Sequence, residues 1–420
     1  MLGSALKRTW RIFGPGLTTG AADDDPSGIA TYSQAGAQVG YALTLTLLLK
    51  LPFMAAIRII SACIGGSAQS GLSRNIAAQL PKAVMYGLVG FLVTANTINI
   101  AADLAAMGDS LRLVLGGPAV GYAVAFGLTC LVIEVFVPYH RYAGYLKLLT
   151  MVLFAYVAAA FTVSIPWPQV LRDTVVPTVS LDKDLLLTVV AIFGTTISPY
   201  LFFWQASQEA EESWLSHKRK HGTQTLSKGA FRHISIDTWS GMLLSNIVAW
   251  FIVVTTAATL HSHGITKINT ASQAAESLRP IAGEFTFALF AAGIIGTGLL
   301  AVPVLAGSAA YAVSEAFGLR GSLELPANRA IGFYGIISAA TLGGALLAAS
   351  NIDPIAMLFW AAVINGVVAV PIMFATVVIV SSEHGRRSYG LPAWLLVLGW
   401  IAAMLMAVTV LLFGWSIAMG

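Results

Sequence analysis

The stretch Gly14-Pro15-Gly16-Leu17-Thr18-Thr19-Gly20-Ala21-Ala22-Asp23-Asp24-Asp25-Pro26-Ser27-Gly28 sets three consecutive carboxylates and a proline between two apolar runs. The chain around it has 420 residues, of which 57% are hydrophobic and only 10% charged. A soluble domain carries about 25% charged residues, so there is too little charge here to coat a surface facing water. Lipid is the alternative solvent, and segment lengths agree. Runs free of Asp, Glu, Lys and Arg cover 83–102, 113–133, 148–171, 185–208, 238–260, 285–314, 330–352, 354–382 and 388–420. About 20 helical residues cross a hydrocarbon core about 30 Å thick. Helices are expected because a lipid-facing backbone must satisfy its own hydrogen bonds.

These runs predict an all-α polytopic membrane protein with eleven spans, near 12–36, 39–64, 83–107, 117–137, 142–165, 184–210, 237–260, 283–313, 329–350, 354–380 and 391–418. With the N-terminus placed inside, 17 basic residues, Arg58 and Arg329 among them, fall on inside ends and loops and 5 on outside loops. Lys50 stays within a span. That bias predicts N-in, C-out insertion in the cell's inner (plasma) membrane. Lys7, Arg8 and Arg11 resemble the start of a signal peptide, but the apolar run after them breaks at Gly14-Pro15-Gly16, so no cleavage is expected. Lys218-Arg219-Lys220 is expected to meet anionic headgroups of the bilayer, and no nucleic-acid motif accompanies it. Cys63 and Cys130 read as packing residues. The absence of HExxH and GxSxG motifs argues against an enzyme, and no cofactor is expected.

Asp23 lies twelve residues beyond Arg11, roughly 18 Å into the membrane at about 1.5 Å per residue. A charge at that depth needs a cavity or a partner. An ordinary loop at 23–28 would leave 12–22 too short to cross alone, so an interrupted first span is expected, broken at Pro26 and Ser27. Span six carries Gly194-Thr195-Thr196-Ile197-Ser198-Pro199-Tyr200 at its centre, a second break at Pro199. Spans one and six correspond in two five-span halves, and an odd number of spans inverts one half against the other. The expected domain is therefore single, with repeats at about 12–165 and 184–380 and an extra helix at about 391–418. Paired interruptions in inverted repeats point to a transporter's midplane site. Three acids repel an anion and attract a cation, and the oxygens of two breaks suit a hard divalent ion.

The sequence resembles the Nramp (natural resistance-associated macrophage protein) family of divalent-metal transporters. The likeness rests on Gly14-Pro15-Gly16, Asp25-Pro26 with Ala30-Thr31, Gly36-Ala37-Gln38 with Gly40-Tyr41, Asp103-Leu104-Ala105 and Ala271 to Gly283. It implies the LeuT-type 5+5 inverted repeat with discontinuous helices 1 and 6. The family's first-span signature, Asp-Pro-Gly-Asn, is Asp25-Pro26-Ser27-Gly28 here, and its Met-Pro-His is Ser198-Pro199-Tyr200. The Asp ligand carries over; the Asn and the thioether that favours soft metals do not. The family's third-span acid after Asp103 is Ala106 and its sixth-span His is Tyr200, which removes groups associated with proton movement. These departures resemble the Nramp-related magnesium transporters.

The metal is therefore expected at Asp25, with Asp24, Thr195, Ser198 and the position of Gly28 around it. Asp23, Tyr200, Asp103, Asn365 and Arg329 are expected along the pathway or its gates. Either Asp23 or Asp24 holds a water of a hydrated ion, or one of them pairs with Lys50. Asn96, Asn99 and Asn246 read as interhelical hydrogen bonders, Phe202-Phe203-Trp204 as packing, and His261 and His263 as surface-loop residues. The implied activity is import of Mg²⁺, with Mn²⁺ as a second ion, by alternating access in a monomer. A proton-coupled Mn²⁺/Fe²⁺ importer and an organic-solute transporter are the alternatives.

Overall fold

A computed structural model describes residues 15–137, 150–176, 183–216, 225–350 and 352–419. Lys7, Arg8, Arg11, Gly14, Arg141, Lys147 and the 218–220 basic run lie outside them, as does the start of the fifth span. Among the described residues the chain is helical, with no strand. The principal helices are α1 (Pro15–Asp23), α2 (Pro26–Val39), α3 (Thr44–Ala68), α4 (Lys82–Leu115), α5 (Ala119–Phe136), α6 (Phe154–Thr162) and α7 (Trp167–Val175). They continue as α8 (Lys183–Thr196), α9 (Pro199–Ser216), α10 (Lys228–Thr259), α11 (Thr286–Phe317), α12 (Ile331–Ala348), α13 (Pro354–Ser381) and α14 (Ala393–Met419). Nine spans among the described residues are long and apolar enough to cross a membrane, with α8 and α9 together forming one of them. A tenth is the segment 151–162 with α7, bent by 115°. The interrupted α1–α2, with its three acids, is not among these nine or ten apolar spans.

The breaks follow from proline chemistry. Pro26 and Pro199 lack an N–H, so each leaves the carbonyl four residues earlier without its helical donor. Those carbonyls are Ala22 O and Thr195 O. The first accepts the Tyr200 hydroxyl at 2.9 Å and the second the Ser198 hydroxyl at 2.6 Å. Each proline then opens the next helix, where its fixed φ is favourable. Asp25 caps α2 by accepting the Gly28 N–H at 2.7 Å.

The broken helices sit centrally. Within the span formed by α8 and α9, 83% of the most apolar window is buried, against 22% for α5 and 33% for α14, whose other faces are left to lipid. α1 and α2 pack on α10, α9 on α3, and α8 on α13, while α4 and α11 form the broadest pairing beside them. Where α1 crosses α10, a Cβ on Gly20 would fall 2.5 Å from Gly241 O, so glycine there sets the backbone approach.

Candidate metal-binding site

Asp25 is 1% exposed and lies at the meeting of α1, α2, α4 and α9. One carboxylate oxygen takes the Gly28 N–H; the other faces Asn99 Nδ2 at 3.3 Å and the Tyr200 hydroxyl at 3.4 Å. Asn99 thus does more than join helices. A Cβ placed on Gly28 would stand 3.2 Å from Asp23 O, 3.2 Å from Thr195 Oγ1 and 3.5 Å from Asp25 Oδ1. A side chain at 28 would thus press on a carbonyl, a hydroxyl and a carboxylate, all oxygen. Gly28 lets these oxygens close in on one another and supplies no side-chain ligand. Ser27 Oγ and Thr195 Oγ1 face each other across the breaks at 3.4 Å. Ser198 turns its hydroxyl hydrogen back to Gly194 O and Thr195 O within its own break. Among the described residues no three His, Cys, Asp or Glu side chains converge as a metal cluster. Around Gly28 the oxygens are one carboxylate, one hydroxyl and one backbone carbonyl.

Asp23 and Asp24 are held differently. Asp23 forms a fully buried ion pair with Arg58 and accepts the Ser245 hydroxyl at 2.9 Å. Ser245 Oγ also lies 3.0 Å from Asp24 Oδ1. Arg58 further donates to Thr19 O at 3.2 Å and Thr196 O at 2.9 Å. Lys50 pairs with none of the three acids through a hydrogen bond. Its ammonium donates to Tyr32 OH and Thr196 Oγ1 and lies 4.6 Å from the centre of the Tyr32 ring.

Two expectations are corrected. Arg58, counted at an inside helix end, is completely buried in the middle of α3. Arg329, expected in the pathway, is exposed in the short turn Ala327–Arg329 ahead of α12, away from Asp25. Sequence reading missed Arg58 because a basic residue within a turn or two of a span's predicted end reads as an anchor. Span two runs to Ala68 rather than Ile64, which moves Arg58 inward. Asp103 on α4 is buried with neither carboxylate oxygen partnered, and both polar atoms of the Asn365 side chain on α13 are likewise buried and unpartnered. Glu134 on α5, passed over in the sequence, is 2% exposed and also unpartnered. His261 and His263 each direct Nδ1 to a backbone carbonyl, and Phe202, Phe203 and Trp204 are core residues.

Two vestibules approach from opposite ends. One, of about 590 Å³, is lined by Arg74, Glu211, Tyr311, Glu315 and Glu324; the other, of about 730 Å³, by Gln34, Gln38, Asp184, Lys267 and Asp353. Asp25 borders neither, so the site is closed on both sides.

The family model described as natural resistance-associated macrophage protein-like matches residues 16–416. The chain belongs to this family. The Nramp-like chain is 28% identical over 295 residues to the divalent metal cation transporter MntH of Verminephrobacter eiseniae, an alignment covering 67% of this chain and 64% of that relative. It is 24% identical over 427 residues to the MntH of Klebsiella pneumoniae, covering 99% and 95%. The fold is similar to that of the Eremococcus coleocola manganese transporter, with a TM-score of 0.63 at 15% identity over 96% of this chain and 93% of the other. It is also similar to Mhp1, a nucleobase-cation-symport-1 family transporter, with a TM-score of 0.60 at 11% identity over 96% and 92%. The Nramp-like chain thus has the LeuT-type architecture.

Proposed function

We propose that the protein imports Mg²⁺, with Mn²⁺ as a second ion, by alternating access and without the family's proton route. The observation that carries this reading is the charge at the core. Asp23, Asp24, Asp25 and Asp103 are buried there and, among the described residues, Arg58 and Lys50 are the buried cations beside them, so acids outnumber bases where the ion would sit. Uncompensated charge in a membrane interior is costly, so the ion completes the site. The nearest atoms around Gly28 are hard oxygens, which suit Mg²⁺ and Mn²⁺. Asp25 is the direct ligand, with Thr195 Oγ1 beside it; Asp24 orients a water of the partly hydrated ion. The relatives named as divalent metal cation transporters support the cation class.

Alternating access would open one vestibule and then the other onto Asp25. α1, α2, α8 and α9 rock against α4 and α11, within repeats at about 12–165 and 184–380. The bias of basic residues supports N-in insertion in the inner membrane, and the single-chain site supports a monomer. The test is uptake of Mg²⁺ and Mn²⁺ into liposomes holding the full chain, with and without a pH gradient. Uptake of both ions is expected in either condition. Exclusion of Mg²⁺, or collapse without the gradient, would favour a proton-coupled Mn²⁺ importer. Binding of an organic solute that survives Asp25→Ala would favour an organic-solute transporter.

A further inference from the structure

Arg58 is the most unusual side chain in the bundle: a full-length guanidinium with no exposure, at the point where the two interrupted helices meet. Its oxygen partners come from separate segments. Thr19 O belongs to α1, Asp23 ends α1, and Thr196 O ends α8. Thr196 O is available because the helix stops there: the next turn restarts at Pro199 with Leu201 N–H bonded to Ser198 O. Ser245 on α10 supplies a hydroxyl to the far oxygen of Asp23. Two carbonyls and a carboxylate from the two broken helices, the carboxylate steadied by a hydroxyl of α10, are oxygens of the kind that hold a bare monovalent cation at such breaks. A cation occupies this cage already, but it is tied to α3 and cannot leave. Lys50, two helical turns away on the same face of α3, meets the other side of the same residue through Thr196 Oγ1.

We propose that Arg58 is a tethered co-ion. It fills, between the two breaks, the place that a co-transported monovalent cation would take, so that a divalent ion crosses without a partner ion. The proposal rests on the divalent-cation reading above. A merely structural ion pair offers the same contacts but differs in consequence. Such a pair is replaceable by apolar side chains of similar volume, with little or no loss. A co-ion cage that has lost its tethered cation requires a free one.

The test uses the full chain in liposomes, with divalent uptake and net charge movement recorded in Na⁺, K⁺, methylguanidinium or the bulky cation N-methylglucamine. Wild type is expected to transport equally in all four and to move two charges per metal ion. Arg58→Ala is expected to lose about tenfold or more of its uptake in N-methylglucamine, a loss of about 1.4 kcal/mol or more. It should recover, saturably, with methylguanidinium or Na⁺. Arg58→Lys, which keeps the charge, should retain more uptake than Arg58→Ala and gain less from added cation. A folded Arg58→Ala protein that stays inactive with every cation, or is fully active without one, overturns the proposal. Should Arg58→Ala not fold, wild type decides: dependence on Na⁺ or K⁺, or more than two charges per ion, overturns it, and two charges with no dependence support it. Absence of divalent uptake by wild type overturns the functional reading itself and the proposal with it.

Discussion

The two helix breaks are built from the same element, a proline at mid-span, yet they satisfy their backbone in different ways. The second turns several of its own hydroxyls onto its backbone and takes outside donors at Thr196 O, from Arg58, and Tyr200 O, from Ser308. Ser198 returns its hydroxyl to Gly194 O and Thr195 O, and Thr196 returns its own to Ile192 O at 2.7 Å. The first depends on its neighbours. Its three acids draw on Arg58 from α3, Ser245 from α10, Asn99 from α4 and Tyr200 from α9. A neutral break draws mainly on short hydroxylated residues nearby, whereas a charged one must recruit donors from across the bundle. The charged break therefore assembles the site, and the neutral one lends it oxygens.

Removing the charge should separate the two most sharply. Asp25→Ala is expected to reduce divalent uptake on the order of 100-fold or more, beyond the loss typical of outer-shell residues. Loss of its N-cap contact should cost only about 1 kcal/mol of stability. Uptake in liposomes and the thermal transition in detergent measure the two effects, and preserved uptake would move the site away from the first break. Arg58→Met strands Asp23 as a buried, unpaired charge, at a cost of about 3–5 kcal/mol, and the transition temperature should fall accordingly. Adding Asp23→Leu should restore most of that stability. If it restores none, the pair does more than cancel its own charge.

Crowding the first break is expected to have an intermediate effect. Gly28→Ala puts a methyl 3.2 Å from both Asp23 O and Thr195 Oγ1, and apparent metal affinity should weaken about tenfold, or 1.4 kcal/mol. An unchanged concentration dependence would show that the ion sits elsewhere. Tyr200→Phe withdraws the hydroxyl from Ala22 O, at an expected cost of about 1 kcal/mol in thermal stability. Arg329→Ala should change stability by less than about 0.5 kcal/mol, because the side chain is exposed, and should leave uptake intact. A large loss there would return Arg329 to the pathway.

Much of the frame was legible from residues alone, since lipid forbids both unpaired backbone and scattered charge. Long apolar runs could only be helices, and Pro26 and Pro199, set beside acids or hydroxylated residues, marked the interruptions, whereas Pro52, Pro303 and Pro371 lie inside continuous helices. Boundaries were less legible. Span two continues to Ala68 and span three to Leu115, past Asp103, Asp109 and Arg112, because a polar residue inside a helix does not end it. The carboxylates at 23–25 announced a cation site, but their division of labour did not show. Asp23 and Asp25 differ only in which neighbours reach them, and those neighbours lie from 35 to 222 positions away in the chain.

By itself, then, the sequence determined the solvent, the helices, the two interruptions and the sign of the charge between them. Each is a local property, set by hydropathy, by a proline's missing N–H or by an ionisable group. Only the tertiary structure decided that Arg58 is an inner partner of Asp23, that Lys50 turns to Thr196, that Arg329 stays outside, and that oxygens from both breaks close in on Gly28. Those outcomes depend on which faces of distant helices meet, and that is settled by packing across the whole bundle.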